Sequence, residues 1–190
     1  MDVINVINIA TRQDRILSVC NEMRIQQAPF RIWNGVTDKL TTAQNINAAH
    51  KQIVSWAKEN NIERVVIAED DILFSHHKSY QYFLSNIPGN YDLFMGMIYA
   101  GEIQDNKIVN GFSGLTLYCV NSRFYDKFLA IQNDLHLDRA LGMTAHENEY
   151  YVCPKFICKQ SGSYSDNMRK SMDYSQFEKN MIFFDGTGYD

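Results

Sequence analysis

Three consecutive carboxylates, Glu69, Asp70 and Asp71, interrupt an apolar stretch of the chain. The run VVIA at 65–68 has the β-branched composition of a buried strand, and ILF at 72–74 follows the acids at once. Like charges held a few ångströms apart repel, and each costs several kcal/mol when it leaves water unpaired. The pattern therefore predicts a buried strand that ends at a site with a positive partner for its acids.

Composition limits the classes of partner. At 190 residues with 45% hydrophobic residues, the chain is long enough to form one globular domain with a sizeable core. A net charge of −4, without a Lys/Arg-rich stretch, argues against nucleic acid. No apolar stretch approaches the ~18–20 residues of a membrane span, and Asp2 and Asn5 interrupt the first apolar run. We therefore expect a cytoplasmic protein with no transmembrane segment.

The four cysteines contain no CxxC pair. One falls in a helical pattern and the others in apolar, strand-like runs: Cys20, Cys119, Cys153 and Cys158. This placement favours reduced thiols in the core over a zinc site or a disulfide framework.

Strands and helices alternate along the first 75 residues. Strand patterns at 2–10, 30–33 and 65–68 are separated by two helical patterns. Each helix opens with a capping-box pattern, Thr11 with Asp14 and Thr41 with Gln44. This order predicts an α/β fold with a Rossmann-like half, in which helices flank a mainly parallel sheet, as a single domain over residues 1–190.

The rest of the chain continues the mixture. We predict a helix near 78–84, strands at 91–99 and 113–120 joined by a polar turn at Asp105 and Asn106, and helices at 122–131 and 134–142. A strand-like run at 150–158 is broken by Pro154. The polar, Gly- and Ser-containing stretch at about 160–175 predicts a mobile loop.

In open α/β sheets, ligands bind beyond the carboxyl ends of the strands, where the three acids are predicted to lie. Alternate residues of an extended chain face opposite sides, so Glu69 and Asp71 can share one side while Asp70 faces elsewhere. Two carboxylates on one side suit Mg²⁺ or Mn²⁺, which in turn bridge phosphate oxygens. The alternative is a solvated turn at the end of the strand.

Seven segments carry a family resemblance. In chain order they are VINIATRQDR (6–15), WNG (33–35), AAH (48–50), EDD (69–71), GLTLYCVN (114–121), LDRAL (137–141) and CPKFICKQSGSYSDN (153–167). Together they resemble glycosyltransferase family 25, the lipopolysaccharide and procollagen galactosyltransferase group, which has a GT-A fold with a mixed sheet. One departure is TAQNI at 42–46, where the family usually has Gly-Glu-x-Gly-Cys.

The resemblance implies a metal-dependent, inverting glycosyltransferase. It would move a hexose, galactose or glucose, from a nucleotide-diphosphate sugar such as a UDP-sugar to a glycan or other hydroxyl acceptor. The EDD element would serve as the DxD-type motif, with Asp71 and Glu69 on Mn²⁺ or Mg²⁺ and Glu69 or Asp70 assisting or touching the ribose. Position in the motif order assigns the catalytic base to Asp138, and the alternative is an aspartate on a helix surface that pairs with Arg139 or another neighbour.

Other residues of these segments are candidates for binding the donor nucleotide. Asn8, Arg12 and Arg15 follow the first strand, although either arginine can equally be a surface residue or a partner of Asp14. His50 is either a buried, hydrogen-bonded histidine or a site residue.

The 160–175 stretch supplies further candidates. Gln160 and Arg169 are assigned to the donor and Asp166 to the metal, with Arg169 and Lys170 closing over the diphosphate as a lid. A flexible polar loop without such a role is the alternative.

Two other functions remain open at this point. The first is a sugar-nucleotide-binding protein of the same fold that has lost turnover, which a missing base at Asp138 would favour. The second is a Mg²⁺-dependent phosphoryl-transfer or receiver-like domain. A receiver ordinarily carries its acid pair after the first strand rather than the third, and no Walker-type glycine loop is present.

Overall fold

A mixed β-sheet organises the fold. The computed structural model describes residues 1–162, 164–165 and 170–189, and within them the largest sheet has eight strands. Their order is β2 (Phe30–Asn34), β1 (Ile4–Asn8), β3 (Arg64–Glu69), β8 (Leu117–Asn121), β5 (Leu93–Met95), β9 (Tyr150–Val152), β7 (Lys107–Ser113) and β6 (Ala100–Gln104). Strands β2, β1 and β3 are parallel, as are β5 and β9, whereas β8 runs antiparallel to both β3 and β5.

The predicted Rossmann-like half is confirmed. Helix α1 (Gln13–Ile25) connects β1 to β2, and helix α2 (Thr42–Glu59) connects β2 to β3. The antiparallel β8 beside β3 separates this sheet from the flavodoxin-like arrangement of a receiver, in which neighbouring strands are parallel.

The two helix starts differ from each other. Thr41 caps α2 as predicted, because its side chain accepts a hydrogen bond from the Gln44 N–H. The capping box predicted at Thr11 is wrong: α1 begins one residue later, after Arg12, without a side-chain cap. The Arg12 N–H instead bonds to the Ile9 carbonyl in a tight turn, and the Arg12 guanidinium pairs with Asp14 at 2.9 Å.

A hairpin lies where a simple turn was predicted. Strands β6 and β7 pair antiparallel around Asp105 and Asn106, whose φ values of 49° and 65° suit a tight hairpin turn. All five residues of β6 are exposed, so the strand has no apolar alternation by which its sequence could reveal it.

Two core clusters cover the two faces of the sheet, and β3 contributes to both. Val65 and Ile67 belong to the cluster that packs on α2, whereas Val66 and Ala68 belong to the cluster that packs on α1. This alternation continues past the strand, so successive acids after Ala68 leave toward different helices.

The remaining elements lie around this sheet. Short strands pair antiparallel as β4 (Ile72–Phe74) with β10 (Cys158–Gln160) and β11 (Tyr164–Ser165) with β12 (Lys170–Ser171). The other helices are α3 (Ser79–Ser85), α4 (Tyr125–Ala130), α5 (Leu137–Gly142) and α6 (Ser175–Glu178). Strands β11 and β12 thus lie inside the predicted loop at 160–175.

All four cysteines are free thiols, three of them buried, as expected. Among the described residues, no helix is long and apolar enough to cross a bilayer.

Candidate functional site

Asp70 turns toward α1 and is held by two side chains. Its Oδ2 accepts a hydrogen bond from Asn8 Nδ2 at 2.7 Å, and its Oδ1 accepts one from Arg15 Nη1 at 2.8 Å. Burial raises the pKa of Asp70, and the bonds from Arg15 and Asn8 oppose part of that rise. Arg15 is therefore the positive partner that the sequence pattern required.

Glu69 turns the other way, toward α2. Its Oε2 accepts a hydrogen bond from Gln160 Nε2 at 2.9 Å, and its Oε1 lies 3.8 Å from His50 Nε2. The other ring nitrogen of His50 is 2.7 Å from the Tyr118 hydroxyl, deep in the core. Burial alone would raise the pKa of Glu69, but His50 and Gln160 favour the carboxylate, and the pKa is lowered. His50 is thus both a buried, hydrogen-bonded histidine and a neighbour of the acids.

Asp71 is the least satisfied of the three acids. One carboxylate oxygen lies 3.6 Å from Arg15 Nη1, whereas the other, Oδ1, is buried and accepts no hydrogen bond from the described residues. Burial and the neighbouring charge of Glu69 raise the pKa of Asp71 to about 8. At neutral pH this carboxyl therefore retains a proton unless a further positive charge is present.

The acids open into a cavity of about 510 Å³. Its walls come from the segment after β2, helix α2, the residues before β8 and helix α5. The turn formed by Glu69, Asp70 and Asp71, here called the acid turn, and two residues nearer the C-terminus, Gln160 and Tyr174, complete them. The side chains with polar or charged groups on this wall include Arg15, Asn45, His50, Glu69, Asp70, Asp71, Tyr99, His136, Asp138, Arg139, Gln160 and Tyr174. A volume of several hundred Å³ suits a small-molecule or cofactor ligand.

Asp138 lies on this wall, in the first turn of α5. Its Oδ2 accepts a hydrogen bond from the Gly114 N–H at 3.0 Å, and its Oδ1 accepts one from the N–H of Arg139 at 2.8 Å. Asp138 is thus fixed in orientation and faces the same cavity as the acid cluster.

The other predicted site residues fall into three groups. Gln160 and Arg15 line the cavity. Asn8 lies behind Asp70, and Arg12 pairs with Asp14 while also donating to the Tyr164 carbonyl, to which Arg15 donates as well. Asp166 and Arg169 lie outside the described residues.

Tyr99 and Tyr174 are among the cavity residues that the sequence patterns did not identify. Each is one tyrosine among eleven, and neither belongs to any of the seven segments that carry the family resemblance. Only the fold brings Tyr174 back to the acids, so no local pattern marks it.

The donor set fits a hard divalent cation. Mg²⁺ sites commonly use one or two carboxylates together with water and substrate phosphates, and Asp71 with its neighbour Glu69 supplies that number. The buried Asp71 Oδ1 without a hydrogen bond is the kind of oxygen that a cation satisfies. Within residues 1–162, 164–165 and 170–189, no group of three or more His, Cys, Asp or Glu side chains is placed to hold a metal. The fit is therefore to a site that ligand oxygens complete.

Comparisons with known proteins support the fold. No protein-family model and no curated protein matches the sequence. A glycosyltransferase involved in glycosylation of the major capsid of PBCV-1 is similar in structure, with a TM-score of 0.54 and 9% identity over 80% of this chain and 81% of that one. A Drosophila beta-1,4-galactosyltransferase 7 mutant, in complex with manganese, UDP-Gal and xylobiose, also has a TM-score of 0.54, with 11% identity over 94% of this chain and 79% of that one. The chain therefore has a GT-A-like fold, which it shares with these two glycosyltransferases.

Proposed function

We propose that this protein is a metal-dependent glycosyltransferase that uses a nucleotide-diphosphate sugar. The observation that carries the proposal is the acid turn at the end of β3, which faces a cavity and leaves Asp71 short of positive charge. A site with excess buried negative charge is suited to a ligand that brings a divalent cation with it.

Each acid has a distinct part in this proposal. Asp71 and Glu69 hold Mn²⁺ or Mg²⁺, which supplies neutralisation of the charge that develops on the leaving diphosphate. Arg15 orients Asp70 and Asp71 through contacts of 2.8 and 3.6 Å. Asp166, assigned to the same ion, and Arg169, assigned to the donor, remain part of the proposal from sequence alone.

Asp138 is the proposed catalytic base. The Gly114 N–H holds its carboxylate toward the cavity, where it can accept the proton of an acceptor hydroxyl. Attack by that hydroxyl on the face opposite the leaving diphosphate inverts the anomeric centre. The acceptor is a glycan or another hydroxyl compound.

The proposed family, donor sugar and biosynthetic role follow from the family resemblance. Family 25 membership, a UDP-galactose or UDP-glucose donor and a place in lipopolysaccharide biosynthesis all come from the seven sequence segments. The similar Drosophila structure holds manganese and UDP-Gal, which agrees with that donor and that metal.

A sugar-nucleotide-binding protein without turnover is the second candidate. It is favoured by one observation: both carboxylate oxygens of Asp138 already accept backbone N–H bonds, which occupy lone pairs that a catalytic base would offer to the acceptor hydroxyl. Donor hydrolysis separates the candidates, since a transferase with Mn²⁺ releases free hexose from its donor slowly and a binding protein releases none.

The test is a thermal-shift panel of UDP-, GDP-, CMP- and dTDP-sugars, each measured with Mn²⁺ and with EDTA. A ligand at 100 times its Kd stabilises by about 2.7 kcal/mol, which corresponds to roughly 5–10 °C in a domain of this size. We expect a rise with one nucleotide class that disappears with EDTA and in Asp71→Asn. Asp126→Asn, in an exposed ion pair with Lys58, is the matched control and should keep the rise.

Two outcomes would count against the proposal. A rise that survives EDTA would retain the nucleotide site but remove the metal role of the acids. No rise with any donor, together with a rise caused by Mg²⁺ and a phosphoryl analogue, would contradict the transferase and favour phosphoryl transfer.

A further inference from the structure

The C-terminal part of the chain returns to the acid cavity. Tyr174, the residue before α6, lines the cavity together with Glu69 and Asp71. Tyr174 lies in the 160–175 stretch, but neither the sequence patterns nor the proposed chemistry gives it a role.

Tyr174 is held in this position by a stacked ring. Its ring lies against that of Tyr99 with centroids 4.9 Å apart and planes 16° from parallel. The Tyr99 hydroxyl in turn accepts a hydrogen bond from the Gln160 backbone N–H at 3.0 Å. Because Gln160 also bonds to Glu69, the aromatic pair and the acid cluster share one support.

Two further contacts fix the helix that follows. Lys159 Nζ lies 2.9 Å from Glu178 Oε2, which ties α6 to β10. Phe177 meets the Tyr99 ring edge-on with centroids 5.9 Å apart, but it is 55% exposed and is not part of the cavity wall. Phe177 therefore supports the pair from outside the cavity.

The Tyr174 side chain shares the cavity with the acids. Burial raises the pKa of Tyr174, and the negative charges of Asp71 and Glu69 raise it further. An aromatic ring thus lines the same cavity as the carboxylates that bind the metal and diphosphate in the proposed function. In a sugar nucleotide, the transferred sugar is bonded directly to that diphosphate.

We propose that Tyr174, backed by Tyr99, is a binding residue for the transferred hexose of the donor, and this inference rests on the proposed function. A pyranose ring has a face of C–H groups that gains by burial against an aromatic face, while its hydroxyls remain free for polar partners. The stack on Tyr99 holds the Tyr174 ring in place before the ligand arrives, which reduces the entropy that binding must overcome.

The experiment is a calorimetric titration with Mn²⁺, comparing a nucleoside diphosphate with its hexose conjugate. The pairs are UDP with UDP-galactose or UDP-glucose, and GDP with GDP-mannose. In Tyr174→Ala we expect the Kd of the hexose conjugate to rise about tenfold, while the Kd of the diphosphate alone changes less than twofold. Tyr174→Phe keeps the aromatic face and should stay within about threefold of the wild type for both ligands.

Phe183→Ala is the matched control, because it removes a ring from the C-terminal part of the chain that packs on Phe156, and neither of these residues lines the cavity. It should change neither Kd by more than about twofold. Equal weakening of diphosphate and conjugate in Tyr174→Ala, or no weakening of either, would overturn the inference while leaving the transferase in place. An effect on the acceptor KM without an effect on the donor would overturn it as well.

A separate readout covers failure of the proposed function. If the wild type binds no nucleotide sugar, saturation-transfer NMR with free galactose and glucose tests directly whether Tyr174 contacts a sugar. A transfer signal that disappears in Tyr174→Ala and persists in Phe183→Ala would retain Tyr174 as a carbohydrate-binding residue without the transferase. No signal in the wild type would overturn both.

Discussion

Replacing Asp71 with asparagine should stabilise the protein in the absence of metal. The substitution keeps the size of the side chain and removes a carboxyl whose ionisation the fold opposes. Because the folded pKa is about 8 and the ordinary value is 3.8, the folded protein holds a proton that the unfolded chain releases between these pH values. Wild-type stability from this group therefore falls as pH rises from about 4 to 8, and the asparagine variant avoids that loss.

The size of the effect follows from the same pKa values. At pH 7 the shift corresponds to roughly 4 kcal/mol of stability lost in the wild type, at 1.36 kcal/mol per pKa unit. The attraction between Asp71 and Arg15 at 3.6 Å is already included in that pKa, but the asparagine amide brings N–H groups into a buried position where they need partners, and this offsets part of the gain. We expect about 2 kcal/mol at pH 7, or roughly 4–8 °C in Tm for a chain of this length.

The assay is thermal unfolding with EDTA at several pH values from 4 to 8. The advantage of Asp71→Asn should be near zero at pH 4 and increase steadily to pH 8, whereas Asp126→Asn should differ from the wild type by less than about 0.5 kcal/mol throughout. With Mn²⁺ the order should reverse, because only the wild type gains from the cation. An Asp71→Asn variant that is less stable than the wild type at pH 7.5 in EDTA would refute the reasoning.

Three further predictions concern the cap, the base and the core. Thr41→Ala should lower the free energy of unfolding in urea by about 1 kcal/mol because α2 loses its cap, whereas Thr11→Ala removes no cap bond and should lower it by less than about 0.5 kcal/mol. Equal losses would contradict the cap assignment. Asp138→Asn still offers an oxygen to the Gly114 N–H, so we expect the donor affinity to persist while the rate of sugar transfer falls by about 10²–10⁴-fold. A transfer rate within tenfold of the wild type would show that Asp138 is not the base. Phe128→Ala leaves a cavity at a fully buried position beside Tyr118 and should lower the free energy of unfolding in urea by about 3–5 kcal/mol. A loss under about 1 kcal/mol would show that neighbouring side chains repack into the cavity.

Local patterns were sufficient for the order of strands and helices in the first 75 residues. The β1–α1–β2–α2–β3 order and the Thr41 cap all rest on residues close together in sequence, and each is confirmed. The hairpin of β6 and β7 was missed because an exposed strand needs no apolar alternation. The Thr11 cap was wrong because the turn before α1 moves the helix start past it.

For the site, the sequence alone determined that three carboxylates would end a buried strand, since an apolar strand followed by charged residues has to reach the edge of the sheet. The different environments of these acids were decided only by the tertiary structure. Arg15, His50 and Gln160 come from three distant segments, and their contacts divide the turn into a paired Asp70, an ionised Glu69 and an undercompensated Asp71. A pKa and an aromatic wall depend on which groups the packing brings within a few ångströms, and no spacing along the chain contains that information.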